Sequence, residues 1–159
     1  MFASPQAEHQ RLDPLVGDWT FEMESFMGPD QAPSKTTGKV TTRSLGGLWI
    51  ITENEMPNPE GGTWRSIMTL GYDPQSGRYL GTFVASMMTF LWTYNGNFDA
   101  SGRSLVLDTE GPRMDQPGMA KYQDIIELVD NDHWILKSQL LQDDGTWQQF
   151  MTSHHRSVK

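Results

Sequence analysis

The chain has 159 residues and no cysteine, and 12 basic against 20 acidic residues leave a formal net charge of −8. This length is typical of one domain, and the lack of cysteine excludes disulfides, thiolate metal sites and a cysteine nucleophile. The acidic balance repels phosphate backbones, so we expect no nucleic-acid partner. We expect a single domain over residues 1–159.

The N-terminal segment predicts one short helix. Ser4 can cap this helix, with Pro5 at its first position. It would end near Leu12, because the residue before Pro14 avoids the α region. Residues 4–13 are therefore expected to plug the domain. The segment has neither the basic nor the apolar region of a signal peptide, and no apolar run approaches the ~20 residues of a membrane span. We expect a cytoplasmic protein without a membrane span.

From Gly17 onwards the sequence alternates with the period of two that half-buried strands show. Trp19, Phe21 and Met23 fall on one face of the first strand, and polar residues fall on the other. Similar segments follow at 35–44, 47–55, 63–72, 78–86, 89–98, 103–109, 119–130, 132–142 and 146–156. Turn-forming clusters separate them, the first at Gly28-Pro29-Asp30.

Consecutive strands with short connections predict an up-and-down antiparallel sheet. Closing such a sheet removes its exposed edges. We therefore expect an all-β fold, a closed antiparallel barrel of about ten strands over residues 17–156. A barrel of about eight to ten strands is wide enough to hold one small ligand.

Two turns, at 73–78 and 99–103, are near copies that combine Asp, Gly and Arg. Glycine and arginine could suggest a phosphate loop, but no helix follows to supply N-terminal N–H groups. We interpret both as hairpin turns, with Asp capping the turn and Gly in its left-handed position.

Motifs spread along the chain resemble a known family. A short helical segment at 8–12 precedes Leu15-Val16-Gly17-Asp18-Trp19, which is similar to the opening of a calycin-type barrel. The later motifs are Leu45-Gly46-Gly47, Leu70-Gly71-Tyr72-Asp73 and Gly96-Asn97-Phe98-Asp99. In this order they resemble a bacterial calycin-like (lipocalin-like) family known as a domain of unknown function, DUF1579. The resemblance implies the barrel fold and no established activity. A more distant similarity is to nitrobindin, a ten-stranded haem barrel.

The four histidines give one candidate for chemistry. His154 and His155 are consecutive on a strand and point to opposite faces, so they cannot share one interior metal. His9 and His133 are expected at the surface or hydrogen-bonded. We retain His155 as a possible axial ligand or acid–base group. Its predicted neighbours on the same face are Trp147, Gln149 and Met151.

Two carboxylates could be paired for acid–base work. Glu53 and Glu55 lie two residues apart and so share one face of a strand. Such residues more often form a solvated face near a strand end, and Pro57 ends this strand at once. We expect the solvated face and keep acid–base chemistry as the alternative.

Methionine and aromatic residues are abundant, with 10 Met, 6 Trp and 7 Phe. The uncharged stretch 87–92 joins two predicted strands, where a polar surface connection is usual. It could line the mouth of a cavity, pack under the barrel or contact a second subunit in a homodimer. Packing alone also accounts for such residues, because any barrel needs them inside.

We expect a non-enzymatic barrel without a cofactor that binds a small apolar or amphiphilic molecule. The expected ligand-binding residues are Trp49, Met68, Phe83, Trp92, Tyr122, Met151 and His155. One alternative is a haem protein or an enzyme using the same cavity, with His155 as ligand or base and Tyr122 or Glu53 assisting. Another is a structural or oligomerising barrel with a filled interior.

One contact is predicted where the barrel closes. In lipocalin-like barrels a basic residue on the last strand stacks over the Gly-x-Trp indole, and Arg156 and Trp19 match these positions. Such a stack would add a cation–π contribution of about 0.5–2 kcal/mol. We therefore expect a structural clasp between Trp19 and Arg156.

Overall fold

The fold is a closed barrel of ten antiparallel strands. The structure, a computed structural model, describes residues 2–26 and 31–158, so the predicted turn Gly28-Pro29-Asp30 lies outside the described residues. Each strand pairs with its neighbours in sequence, and β1 closes on β10. The strands are β1 (Gly17–Ser25), β2 (Ser34–Leu45), β3 (Trp49–Pro57), β4 (Thr63–Asp73), β5 (Arg78–Ala85), β6 (Trp92–Phe98), β7 (Ser104–Pro112), β8 (Met119–Asp130), β9 (His133–Leu141) and β10 (Trp147–Ser157). The predicted closed barrel is confirmed.

The N-terminal helix is shorter than predicted. It spans Ala7–Gln10 (α1), and a separate 3-10 turn follows at Asp13–Leu15. The helix begins after Gln6 because the Gln6 backbone N–H donates to His9 Nδ1 at 2.9 Å, and the Gln6 carbonyl accepts from the backbone N–H of Gln10. Ser4 is therefore not the cap.

This N-terminal segment closes one end of the barrel. Leu12 and Leu15 are buried in the core, and the Tyr79 hydroxyl donates to the Glu8 carbonyl at 2.7 Å. We call this the plugged end; the opposite end, near residues 85–92 and 112–119, is the open end. No helix within residues 2–26 and 31–158 is long and apolar enough to cross a membrane.

The two similar turns are hairpin turns, as predicted. Asp73 Oδ1 accepts the Gln75 backbone N–H at 3.0 Å, and Asp99 Oδ1 accepts that of Ser101 at 3.1 Å. A glycine with positive φ ends each turn, as only glycine does at little cost.

A β-bulge in β10 changes which side chains point inward. The register shifts between Gln149 and Met151, so that Gln149 pairs with Gln139 while Met151 pairs with Ser138. The extra residue reverses the alternation at this point. Trp147 and Gln149 are therefore on the outer face, and the prediction that they share a face with His155 is wrong. Met151 does share that face, because the cavity wall includes both Met151 and His155.

The predicted clasp between Trp19 and Arg156 is also wrong. Arg156 pairs with Thr20 and is exposed on the outer face, whereas the Trp19 side chain is only 3% exposed. The Trp19 indole N–H donates to the Leu15 carbonyl at 2.9 Å, and its ring meets Trp134 edge-on with centroids 6.1 Å apart. Paired residues in antiparallel strands share a face, so Arg156 follows the outward Thr20.

The wall of the barrel divides between β6 and β7. These strands pair from Phe98 and Leu105 up to Asn95 and Asp108, where the pairs stop. Beyond that point β6 continues only beside β5, and β7 continues only beside β8. We call the diverging segments, Trp92–Tyr94 and Thr109–Pro112, the seam.

Candidate functional site

The barrel encloses a cavity towards its open end. Its main part has a volume of about 330 Å³, and an adjoining lobe adds about 130 Å³. The two parts share the side chains of Asn54, Phe83, Leu136, Met151 and His155. The interior is therefore open, and the alternative of a barrel with a filled core is wrong.

A larger depression, of about 670 Å³, lies over the seam on the outside of the barrel. Trp147 and Lys121 contribute to it, and it opens broadly to solvent. Small-molecule sites enclose most of their ligand. The interior cavity is therefore the stronger candidate site.

Six of the seven predicted ligand-binding residues lie on the cavity wall. They are Met68, Phe83, Trp92, Tyr122, Met151 and His155. Their role in binding a ligand remains a prediction.

Trp49 is not on the cavity wall. It is 41% exposed and pairs with Gly71 of β4, over which its ring lies so closely that a Cβ on Gly71 would meet the indole. An aromatic side chain over a strand glycine covers backbone that has no side chain of its own. Trp49 thus covers the outer sheet surface, and its prediction as a ligand contact is wrong.

The predicted acid–base pair also lies on the outer face. Arg43 Nη1 lies 2.9 Å from Glu53 Oε1, and Arg65 Nη2 lies 3.3 Å from Glu55 Oε1. All four side chains are substantially exposed. Glu53 therefore cannot assist His155 inside the cavity, and the solvated face is the correct interpretation.

The uncharged stretch 87–92 lies at the mouth of the cavity. Met88 and Trp92 line the main part and Met87 lines the lobe. The Trp92 ring packs edge-on against Tyr122, with centroids 5.2 Å apart, and a Cβ on Gly111 would overlap it. Trp92 thus fills the seam from the inside. The stretch therefore lines the mouth of the cavity, as one of the alternatives predicted, and its contact with a second subunit stays a prediction.

A buried carboxylate on the wall was missed by the sequence analysis. Asp124 Oδ2 accepts the Tyr94 hydroxyl at 2.5 Å, and its Oδ1 accepts the Ser138 hydroxyl at 2.6 Å. Burial raises the pKa of Asp124, and the two hydroxyl donors act against that rise. The alternation of β8 held a signal, because Asp124 falls between the inward Tyr122 and Ile126.

His155 is held on the wall as a neutral imidazole. Its ring stacks flat on Trp134, with centroids 3.6 Å apart and an interplanar angle of 3°. Phe21 lies beside it, with centroids 5.6 Å apart. Burial lowers the pKa of His155 to about 3, because the charged form would lose its hydration.

Four buried polar atoms on the wall have no hydrogen-bond partner within the protein. They are Trp92 Nε1, Thr109 Oγ1, Trp134 Nε1 and His155 Nδ1, and they are all such side-chain atoms in the described part of the chain. All four residues line the main cavity. Buried polar groups in proteins are nearly always hydrogen-bonded, so four unpartnered atoms on residues of one cavity wall are exceptional.

A comparison with the models of protein families shows which family this chain belongs to. The model of DUF1579, described as a protein of unknown function, matches residues 4–157. The chain belongs to the DUF1579 family. The resemblance stated from the glycine motifs is thereby confirmed, and no curated protein matches the sequence.

Solved structures share the barrel of this DUF1579 protein. The crystal structure of Rv2717c from M. tuberculosis matches with a TM-score of 0.67 and 12% identity, covering 98% of this chain and 100% of that one. A redesigned β-barrel matches with a TM-score of 0.51 and 10% identity, covering 99% and 100%. A fluorescence-activating β-barrel designed de novo matches with a TM-score of 0.51 and 11% identity, covering 94% and 98%. At these identities the likeness shows the fold alone.

The remaining histidines of this DUF1579 chain lie away from the cavity. His9 packs in the plugged end, edge-on to Tyr72. His133 Nε2 and His154 Nδ1 lie 2.9 Å apart on the outer face, and burial together with Arg156 lowers the pKa of His133. Within residues 2–26 and 31–158, no three His, Asp or Glu side chains are grouped closely enough to hold a metal ion.

Proposed function

We propose that this protein binds a small, mostly apolar molecule inside the barrel. The observation that carries the proposal is one enclosed, mostly apolar cavity, whose wall includes the four residues with unpartnered polar atoms. Ligand sites are mostly apolar, with a few polar groups that fix the ligand's orientation.

The size and the entrance of the cavity indicate what fits. Its volume of about 330 Å³ is at the lower end of the ~300–1,000 Å³ range of small-molecule pockets, which suits a molecule of one or two rings. Met88 and Met114 lie at its mouth with 42% and 68% of their surfaces exposed. Methionine adapts to varied apolar shapes, and the opposite end is plugged, so we infer that the ligand enters here.

Filling the cavity tests this proposal. We expect the neutral fluorophore prodan to shift its emission to shorter wavelength with the unaltered protein, and to lose that shift with Met68→Trp, whose larger side chain occupies the cavity. Bound prodan should also raise the melting temperature, because it stabilises only the folded state.

The matched control is Ile67→Trp, on the adjacent residue of the same strand. Ile67 is 40% exposed and Met68 only 6%, so the control adds the same ring outside the barrel. It should bind prodan as the unaltered protein does. An unaltered protein that fails to bind, or a folded Met68→Trp that binds equally well, would overturn the proposal.

Haem binding in the same cavity is the second candidate, and one observation favours it. His155 is neutral, the form in which imidazole ligates a metal. Haem fits this cavity poorly. The cavity volume of about 330 Å³ is small even for a drug-sized ligand, and a porphyrin is larger. The Trp134 ring also covers one face of His155.

Titration with haemin tests this second candidate. We expect no sharp Soret band beyond that of a control protein. A sharp band that His155→Ala abolishes would instead establish haem binding and replace the proposal of a small apolar ligand.

A further inference from the structure

We propose that the ligand of this cavity carries a protonated amine, which the Asp124 carboxylate binds. This inference rests on the proposed function and names the chemical class of its ligand. Asp124 is an ionisable residue on a wall that is otherwise mostly apolar. The side chain of Asp124 lies on the wall of the main cavity, level with Tyr94 and Ser138.

Asp124 has neutral partners and no counterion. Its two hydrogen bonds come from the hydroxyls of Tyr94 and Ser138, and none of the ion pairs among the described residues includes it. An ionised carboxylate has about four acceptor positions, so two donors leave acceptor positions free on a side chain that lines the cavity. An unpaired buried charge is costly, and a cationic ligand removes that cost.

The other charges at the wall are already neutralised. Arg113 Nη2 lies 2.9 Å from Asp143 Oδ1, and Arg65, beside the lobe, pairs with Glu55. His155 is neutral, because burial disfavours its charged form. No other group at the wall offsets a negative charge on Asp124, so an ionised Asp124 selects a cation over a fatty-acid carboxylate.

The hydrogen bonds of Asp124 favour its ionised form. Each carboxylate oxygen accepts a hydrogen bond from a hydroxyl, one from Tyr94 and one from Ser138. Donors to both oxygens stabilise the ionised carboxylate. Burial acts in the opposite direction and raises the pKa. An ammonium group placed against the free acceptor positions offsets the burial, so binding the ligand and ionising Asp124 reinforce each other.

The aromatic surroundings suit the same ligand. Trp92, Tyr94 and Tyr122 contribute rings to this cavity, and aromatic faces attract organic cations. The formal charge of −8 on the whole chain also raises the local concentration of cations. The expected ligand is thus an organic amine with an apolar body of one or two rings.

Three probes with one naphthalene body test this inference. They are 1-naphthylmethylamine, 1-naphthylmethanol and 1-naphthoate, which are cationic, neutral and anionic near neutral pH. We expect the amine to bind the unaltered protein about tenfold more tightly than the alcohol, since hydrogen bonds between charged groups are about twice as strong as neutral ones. The anion should bind most weakly. Isothermal titration calorimetry measures all three affinities and needs no variant.

Asp124→Asn removes the charge while keeping the shape of the side chain. We expect it to bind the amine and the alcohol equally. Asp108→Asn is the matched control, because Asp108 lies exposed on the outer face of β7 and its replacement changes the net charge by the same amount. The control should keep the preference for the amine.

The outcomes separate this inference from the proposed function. If none of the probes binds, the proposed function fails. If the alcohol binds as tightly as the amine to the unaltered protein, the inference alone is overturned, and the cavity remains an apolar site. A folded Asp124→Asn that keeps the amine preference would also overturn it.

Discussion

Replacing Trp19 by alanine is expected to lower the free energy of unfolding by about 3–5 kcal/mol, the range found for buried Trp and Phe. Trp19 is 3% exposed, and its indole N–H is bonded to the Leu15 carbonyl. The variant loses the ring contact with Trp134 and leaves a void beside the plugged end. Urea unfolding, followed by circular dichroism, measures the loss.

Trp49→Ala is the control for this prediction. It removes the same side chain from the outer face, where Trp49 is 41% exposed, so a clearly smaller loss is expected. Equal losses for the two variants would show that Trp19 is not part of the core that joins the plug to the barrel.

Acidification from pH 7 to pH 4 is expected to reduce stability through His155. The folded protein keeps this imidazole neutral down to a pKa of about 3, whereas the unfolded chain takes up a proton near pH 6.5. Between these values unfolding binds a proton, so acid favours the unfolded state. The stabilisation that the neutral His155 gives is fully present above about pH 6.5. Between that pH and the folded pKa of about 3, the free energy of unfolding falls by up to about 1.4 kcal/mol for each pH unit.

His155→Phe isolates this contribution, because it keeps a flat ring against Trp134 and cannot titrate. The free energy of unfolding of the unaltered protein should fall relative to that of the variant as the pH decreases. Asp124 acts with the opposite sign, since its raised pKa makes the folded state bind a proton first, but it is present in both proteins. Parallel pH profiles would contradict a buried, neutral His155.

The barrel could be predicted from the sequence because alternation and turn residues are local properties. Whether a side chain faces the inside or the outside of the barrel was harder to predict where strand pairing decides it. The bulge at Gln149 and Met151 reverses the alternation of β10, and no turn or glycine marks it. The outward position of Arg156 follows from its pairing with Thr20, a register that spacing alone does not fix.

Other errors could have been avoided from the residues themselves. Trp49 has the same parity as Glu53 and Glu55 in β3, and two charged residues mark that face as the outer one. Asp124 has the parity of Tyr122 and Ile126, which makes it a charged residue on an apolar face. The hydroxyls that hold it come from β6 and β9, and only the closed barrel brings these strands to one cavity.

The seam gives this barrel a place where its wall can part without the loss of a strand-to-strand backbone hydrogen bond. Elsewhere, separating two strands breaks a ladder, but past Asn95 and Asp108 the pairs between β6 and β7 have ended. Two side chains of β6 bridge the two sides there: the Trp92 indole lies against the bare backbone of Gly111, and the Tyr94 hydroxyl donates to Asp124 of β8. Closure of the barrel wall beside the Asp124 carboxylate therefore depends on two side chains, Trp92 and Tyr94, rather than on a ladder of backbone hydrogen bonds.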